Sequence, residues 1–305
     1  MTAPVEVYRN SVQAWEIDQM GHMNVQFYVD KSAIGLAVLA HHLGLGPDFT
    51  RRTGMRLIPR QHHIRFLREQ RAGAPLQMTA GVLESGPERL RILQELTNPA
   101  SGDIAAAFTL EVELADLESR TTRPLPEATL AAAERLKTEL PTHAAPRGLE
   151  LYPPRPRPTL EEAESLGMLA TYHGVVGPAM CDLDGRLATR AYMGIVSDAV
   201  PNLLVQVHGA DRTDWGLGGA ALEYRFVYHD APRAGDLITV RSAIKQIAAK
   251  TYGFVHWLFD LSTGQAFATA EVVAVILDLK ARRAIEIPDS LRANLERHLV
   301  PGLSV

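Results

Sequence analysis

A single cysteine, Cys181, leaves no partner for an intrachain disulfide and fits a reducing compartment. No stretch approaches the ~18 uninterrupted apolar residues of a bilayer-spanning helix. Residues 1–6 lack the basic and apolar regions of a secretion signal. Charge of neither sign dominates: 31 basic against 35 acidic residues give −4. No Lys/Arg block is interleaved with aromatics, so the electrostatic footprint of a nucleic-acid binder is missing. These absences predict a soluble, cytoplasmic protein with neither a nucleic-acid nor a membrane partner. A GxSxG elbow is also missing, which argues against a serine nucleophile on an α/β-hydrolase sheet. The pairs His41-His42 and His62-His63 fall in no HExxH or Cys/His spacing, so no metal site is expected.

What the chain does have is length and apolar content: 305 residues, 46% hydrophobic, a size for roughly two domains. Residues 5–17 read as a strand, 25–43 as a long helix, and 51–54 as a loop. Residues 57–69, 75–83, 88–97 and 103–117 read as strands, the last two joined by Asn98-Pro99-Ala100-Ser101-Gly102. The same order then returns. Ile64-Arg65-Phe66 is echoed by Tyr224-Arg225-Phe226 and Arg71-Ala72-Gly73 by Arg233-Ala234-Gly235. The spacing of 162 persists from Gly102 and Gly264 to Asp116 and Asp278. Pro126 and Pro288 open matching helices, 127–140 and 289–299, each with an acid in its first turn. A fixed offset over so long a span marks a tandem duplication. The expected division is residues 1–120, a helical and proline-rich linker at 121–168, and a second copy at 169–305. Within the linker, residues 151–158 should be stiff and extended, and Thr159 should cap a short helix. Gly216-Leu217-Gly218-Gly219 reads as a turn before a strand at 220–228.

The stretch that carries chemistry is Asp18-Gln19-Met20-Gly21-His22-Met23-Asn24, directly ahead of the long helix. That helix is apolar on every side, which predicts that it is engulfed by other structure. Its start offers unsatisfied N–H groups and the positive end of the dipole. Aligned without gaps, the second copy puts Asp184 under Asp18, Ala188 under His22 and Arg190 under Asn24, so one copy keeps the reactive residues. Its helix, 192–207, is interrupted at Pro201.

The pattern Asp18-x-x-Gly21-His22-Met23-Asn24-x-x-x-Tyr28 resembles the signature of hotdog-fold thioesterases. The 4-hydroxybenzoyl-CoA thioesterase-like group is similar in the Asp and in the Tyr ten residues on. The acyl-ACP thioesterases of plants and bacteria resemble it further, with Asp18, His22 and Asn24 in register. His63 lies near the position where those enzymes carry another polar active-site residue. Two features depart from the plant pattern: Met20 stands where an Asn is usual, and His63 near a Glu. The resemblance implies an α+β fold of two tandem hotdog domains, each an antiparallel sheet wrapped around a long central helix. It also implies hydrolysis of an acyl-CoA or acyl-ACP thioester without metal or redox cofactor, in a monomeric pseudo-dimer or a homodimer. The site residues it implies are Asp18, His22 and Asn24 as catalytic, with Gly21, Met23, Tyr28 and His63 contacting substrate.

Thioester hydrolysis needs oxyanion stabilisation and an attacking oxygen. Backbone N–H groups around residues 21–24 can supply the first without reorganisation, and the bare Gly21 admits a close approach. Asp18 can supply the second, as a general base on water or as a nucleophile forming a mixed anhydride. His22 can hold the water or tune Asp18. Structural roles compete with each assignment: Asp and Asn are ordinary helix caps, Tyr28 is ordinary core, and a buried His63 need touch no substrate. A hotdog enoyl-thioester hydratase or dehydratase and a non-catalytic acyl-thioester-binding protein remain open alternatives.

Overall fold

The computed structural model describes residues 4–208, 217–278, 280–281 and 283–305. The chain divides into two compact units, residues 1–145 and 146–305. The first contains β1 (Val5–Ser11), α1 (Val25–His42), α2 (Pro47–Thr53), β2 (Met55–Phe66), β3 (Pro75–Ser85), β4 (Arg89–Asn98), β5 (Asp103–Asp116), β6 (Thr122–Arg123) and α3 (Glu127–Arg135). Its sheet runs β1-β3-β4-β5-β2, every pair antiparallel. The second contains α4 (Leu160–Ser165), β7 (Leu169–Val175), α5 (Thr189–His208), β8 (Leu217–Tyr228), β9 (Leu237–Ile247), β10 (Thr251–Asp260), β11 (Ala266–Asp278), β12 (Arg283–Ala284) and α6 (Asp289–Arg297). Its sheet runs β7-β9-β10-β11-β8, again antiparallel. Register repeats with the sequence: Ala80 pairs with Gln94 in one unit, and Ser242 with His256 in the other. Residues 121–145, grouped with the linker in the sequence reading, pack into the first unit.

Strand alternation aims one face of each sheet at its helix. In β2 the residues that face α1 are His62, whose Nε2 lies 3.3 Å from the Ser32 hydroxyl, and Phe66, whose ring meets Tyr28 edge-on at 5.1 Å. Ser32 also donates to Gln94 of β4. At Gly35 the helix comes so close that a Cβ would sit 2.7 Å from Met78 Sδ of β3 and 3.2 Å from Val7 Cγ2 of β1. Contacts from β1, β2, β3 and β4 thus wrap one side of the helix. The second unit buries a comparable polar group: Ser242 lies 2.6 Å from His256 Nδ1 and 2.7 Å from Thr171.

Several local expectations change. The central helix α1 is not engulfed all round: Ile34 is 43% exposed and Ala37 and His41 are exposed, whereas Lys31 and Ser32 point inward. Its polar interior is possible because Lys31 finds Glu16, and Ser32 finds Gln94 and His62. Residues 51–54 end a helix, α2, rather than forming a loop, with Gly54 closing it in the left-handed conformation at φ 68°. The first strand stops at Ser11, and a 3₁₀ turn, Ala14–Glu16, follows. Helix α3 ends at Arg135, five residues early. Helix α5 runs through Pro201, because burial of Val196, Ala199 and Leu203 outweighs the roughly 3 kcal/mol cost of an interior proline. Residues 217–219 already belong to β8 rather than to a turn, and Gly216 lies outside the described residues. Thr159 does cap α4, accepting the Glu162 N–H at 3.1 Å.

The segment that leaves the first unit is fixed through its backbone. Arg65 donates to the Ala145 carbonyl. In the second unit the buried Glu223 takes the N–H groups of Arg147 and Gly148 at 3.1 and 2.7 Å, and the buried Arg225 donates to the carbonyls of Glu150 and Tyr152. Residues 151–158 join no helix or sheet, and the Arg155 guanidinium lies 4.5 Å from the centroid of the buried Trp257 ring.

Candidate active site

Residues 18–22 form a tight hairpin loop. The Asp18 N–H donates to the His22 carbonyl and the Gly21 N–H to the Asp18 carbonyl, both at 3.0 Å. Gly21 stands at φ 78° with open space where a Cβ would be. A turn followed by a left-handed glycine is the usual three-residue hairpin geometry. Asp18 Oδ1 closes the turn by accepting the Met20 N–H at 2.9 Å. The hairpin is tied down at its base. Ile17 pairs with Met23, the Met23 N–H reaches the Gln70 carbonyl at 2.7 Å, and the Asn24 N–H reaches the Glu16 carbonyl at 2.9 Å. Glu16 is itself held by the Gln13 N–H at 3.0 Å and by the buried Lys31 ammonium at 2.6 Å.

On this frame two of the expected residues meet, and a third joins them. Asp18 Oδ2 lies 3.5 Å from His22 Nδ1, and the other ring nitrogen, Nε2, lies 3.7 Å from Glu69 Oε1. The side chains of Asp18 and His22 are 14% and 16% exposed and that of Glu69 is 40%, so the trio is shielded but open at one end. The sequence reading ran the second strand through Glu69. It ends at Phe66 instead, so residues 67–70 turn back onto the hairpin. No motif marks Glu69; only the early end of β2 places it. Tyr28 packs on Phe66 and donates to the Arg68 carbonyl at 3.3 Å, locking this return to α1. Burial pushes the Tyr28 phenol well above its usual range, and the Glu69 and Asp18 carboxylates add to the rise, so it stays protonated.

The remaining expected residues take other positions. Asn24 is the N-cap of α1, its Oδ1 accepting the Gln26 N–H at 3.0 Å. Met23 is buried at the hairpin base. His63 faces the side of the sheet away from α1, beside Thr109 of β5 at 3.5 Å, so it stands apart from the Asp18–His22 pair. The expected cradle of N–H groups is narrower than residues 21–24. Gly21, Met23 and Asn24 spend theirs on backbone carbonyls, and among the described residues no acceptor faces the N–H of His22 or of Val25.

The second unit contains the same hairpin in a different register from the ungapped alignment. Asp182 donates its N–H to the Arg186 carbonyl at 2.8 Å, Gly185 donates to the Asp182 carbonyl at 3.0 Å, and Leu187 to the Pro232 carbonyl at 2.7 Å. The counterpart of Asp18 is therefore Asp182, not Asp184. Arg186 stands for His22 and Ala188 for Asn24, an offset of 164 rather than 166. Tyr192 likewise stands for Tyr28, donating to the Asp230 carbonyl at 2.6 Å. The aspartate and the tyrosine persist; the histidine does not. Met180 and Ile195 occupy the places of Glu16 and Lys31.

Residues 12–133 and again 176–295 match the model of the thioesterase-like superfamily. The chain belongs to that family. Two curated relatives share about a quarter of the aligned residues. The L-carnitine dehydrogenase/betainyl-CoA thioesterase of Agrobacterium fabrum is 27% identical over 145 residues, 46% of this chain and 30% of that protein. The betainyl-CoA thioesterase of Pseudomonas aeruginosa is 26% identical over 136 residues, 45% of this chain and 86% of that protein. The chain thus spans less than a third of the first relative's length. Among solved structures, an acyl-ACP thioesterase from Bacteroides thetaiotaomicron superposes with TM-score 0.66 at 10% identity, over 88% of this chain and 96% of that one. The 12:0-ACP thioesterase of Umbellularia californica gives 0.64 at 12%, over 91% and 93%. At that identity the likeness establishes the fold: two tandem hotdog domains, as the motif implied. Among the described residues no helix is long and apolar enough to cross a membrane, and no three His, Cys, Asp or Glu side chains cluster as metal ligands.

Proposed function

We propose that this chain hydrolyses acyl thioesters to free acid and thiol, with one reactive centre built from Asp18, His22 and the start of α1. The observation that carries the reading is the Asp18–His22 pair, 3.5 Å apart on a hairpin fixed at both ends and ahead of a helix N-terminus. The N–H groups of His22 and Val25 face the acyl oxygen and hold the charge it gains, a type of interaction typically worth ~10²–10³ in rate per donor. Asp18 Oδ2 either removes a proton from the attacking water or attacks the acyl carbon itself; the C–S bond then breaks and the thiolate leaves, and on the second route water opens the mixed anhydride to give the free acid and return Asp18. His22, from its Nδ1 side, holds the Asp18 carboxylate in line for this attack. A CoA-borne substrate with a small polar acyl group is favoured over an ACP-borne fatty chain, because the sequence relatives are named for betainyl-CoA and the ACP enzymes share only the fold.

The test is thiol release from betainyl-CoA, short and long acyl-CoAs and acyl-ACPs, with the enoyl absorbance followed in parallel. Wild-type protein should release thiol, and Asp18→Asn should lose roughly 10²-fold or more in kcat, the scale of a lost general base. Absorbance change without thiol would instead support the hydratase alternative. Tight acyl-CoA binding with neither signal would support a binding protein. Single turnover in ¹⁸O-water separates the two roles of Asp18, since only opening of the mixed anhydride at its aspartyl carbon puts label into the Asp18 side chain, whereas general-base hydrolysis labels the product acid alone.

A further inference from the structure

We propose that Glu69 is a positioning residue of this centre, holding the His22 imidazole from its Nε2 side while Asp18 holds Nδ1. The proposal rests on the hydrolase reading above. Its geometric basis is the 3.7 Å approach of Glu69 Oε1 to His22 Nε2, opposite the 3.5 Å approach of Asp18 Oδ2 to Nδ1. The backbone on either side of Glu69 is fixed. Tyr28 and the Gln70 amide both donate to the Arg68 carbonyl, at 3.3 and 3.2 Å, and Gln70 in turn accepts from Asn98 at 2.9 Å and from the Met23 N–H at 2.7 Å. A carboxylate presented from so rigid a turn can select which ring nitrogen carries the proton and which way the ring faces.

The second unit supplies a control within the same molecule. Its return turn is built alike: the N–H groups of His229 and Asp230 both reach the Phe267 carbonyl, as those of Leu67 and Arg68 reach that of Ala105. In that turn the counterpart of Glu69 is Ala231, and the counterpart of His22, Arg186, donates to the Ala231 carbonyl at 3.0 Å. The turn therefore needs no carboxylate at this position. Histidine and glutamate are present together in one unit and absent together from the other, whereas the hairpin aspartate and the tyrosine are kept in both. A glutamate retained for folding would not follow the histidine in this way.

The experiment compares kcat and KM for wild type, Asp18→Asn, Glu69→Ala, Glu69→Gln and the neighbouring surface variant Arg68→Ala, on whichever thioester the wild type cleaves. Glu69→Ala and Glu69→Gln should lower kcat roughly 10–100-fold, the range found where a partner that orients a histidine is lost. KM should stay within about twofold and thermal unfolding should be unchanged, because alanine already serves in the second unit. Added formate should restore part of the activity of Glu69→Ala but none of Glu69→Gln, a signature that a purely structural side chain does not give. Arg68→Ala should behave as wild type. If Asp18→Asn abolishes turnover while Glu69→Ala keeps wild-type kcat, or changes KM alone, the Glu69 role is wrong and the hydrolase reading stands. If the wild type cleaves no thioester, both fall together.

Discussion

A buried ammonium–carboxylate pair is costly to keep, because desolvation cancels most of its attraction. Lys31 and Glu16 keep one directly beneath the hairpin, with Lys31 at 1% exposure. The second unit meets the same packing problem with Ile195 and Met180. The fold therefore tolerates an apolar pair: the Met180 carbonyl takes the Ala188 N–H at 2.9 Å just as that of Glu16 takes the Asn24 N–H, and the ionic pair adds a tie between the Glu16 side chain and α1. Lys31→Met alone strands a buried charge and should cost roughly 3–5 kcal/mol in urea unfolding. The double change Glu16→Met with Lys31→Ile should recover that stability yet leave thioester turnover reduced. A double variant as unstable as the single one would show that the pair serves folding instead. None of this was legible in the sequence. Lys31 reads as a polar residue on an apolar helix, and its partner lies fifteen residues earlier on a turn that no pattern announced.

At the scale of elements, helix α1 and its cap show what patterning can and cannot reveal. The helix and its start follow from the residues alone. Its environment does not: apolar residues on every side suggested complete enclosure, whereas Ile34 and Ala37 are exposed and Ser32 faces inward to Gln94 and His62. Periodicity reports where apolar side chains lie, not which stripe the sheet covers. Asn24 illustrates the same limit, since one residue type serves equally as cap and as catalyst. Its oxygen is committed to the Gln26 N–H. Asn24→Ala should therefore lower stability by about 0.5–2 kcal/mol in thermal or urea unfolding, while Asn24→Asp or Asn24→Ser should restore most of it. Retention of full stability in the alanine variant would mean that the cap is not needed here.

At the scale of the whole molecule, the duplication was the most legible feature, because strands bound by register cannot drift: the 162-residue offset survives through β2–β5 and β8–β11, where Phe66 corresponds to Tyr228, two residues beyond the Phe226 that the sequence echo suggested. The hairpins escaped it. Between the starts of α1 and β2 the first unit has two more residues than the second has between α5 and β8, so the strand offset of 162 becomes 164 in the hairpins, two short of the 166 that put Asp184 under Asp18. Each unit also buries a histidine beneath its helix or sheet, and burial pushes both His62 and His256 down to about 3, with His63 adding to the effect on His62. Both are neutral in the folded state, whereas their unfolded counterparts take a proton near pH 6.5. Folding stability should be complete above that pH and fall steadily as the pH drops toward about 3. Urea midpoints measured between pH 7.5 and 4.5 should show this slope, and His62→Gln should flatten it even though the substitution lowers stability overall. A wild-type stability independent of pH over that range would contradict the assignment.

The paired hairpins have a practical consequence. Gly21 and Gly185 occupy one turn geometry, donate to equivalent aspartate carbonyls, and differ in the His22 imidazole and Glu69 carboxylate beside the first. Amide deuterium uptake at these two sites, followed in one tube at one temperature, compares two opening rates without any external reference. Their ratio isolates the contribution of His22 and Glu69 to keeping the first loop shut, and adding a thioester or its product acid alters that ratio only if the guest settles on one loop and spares the other.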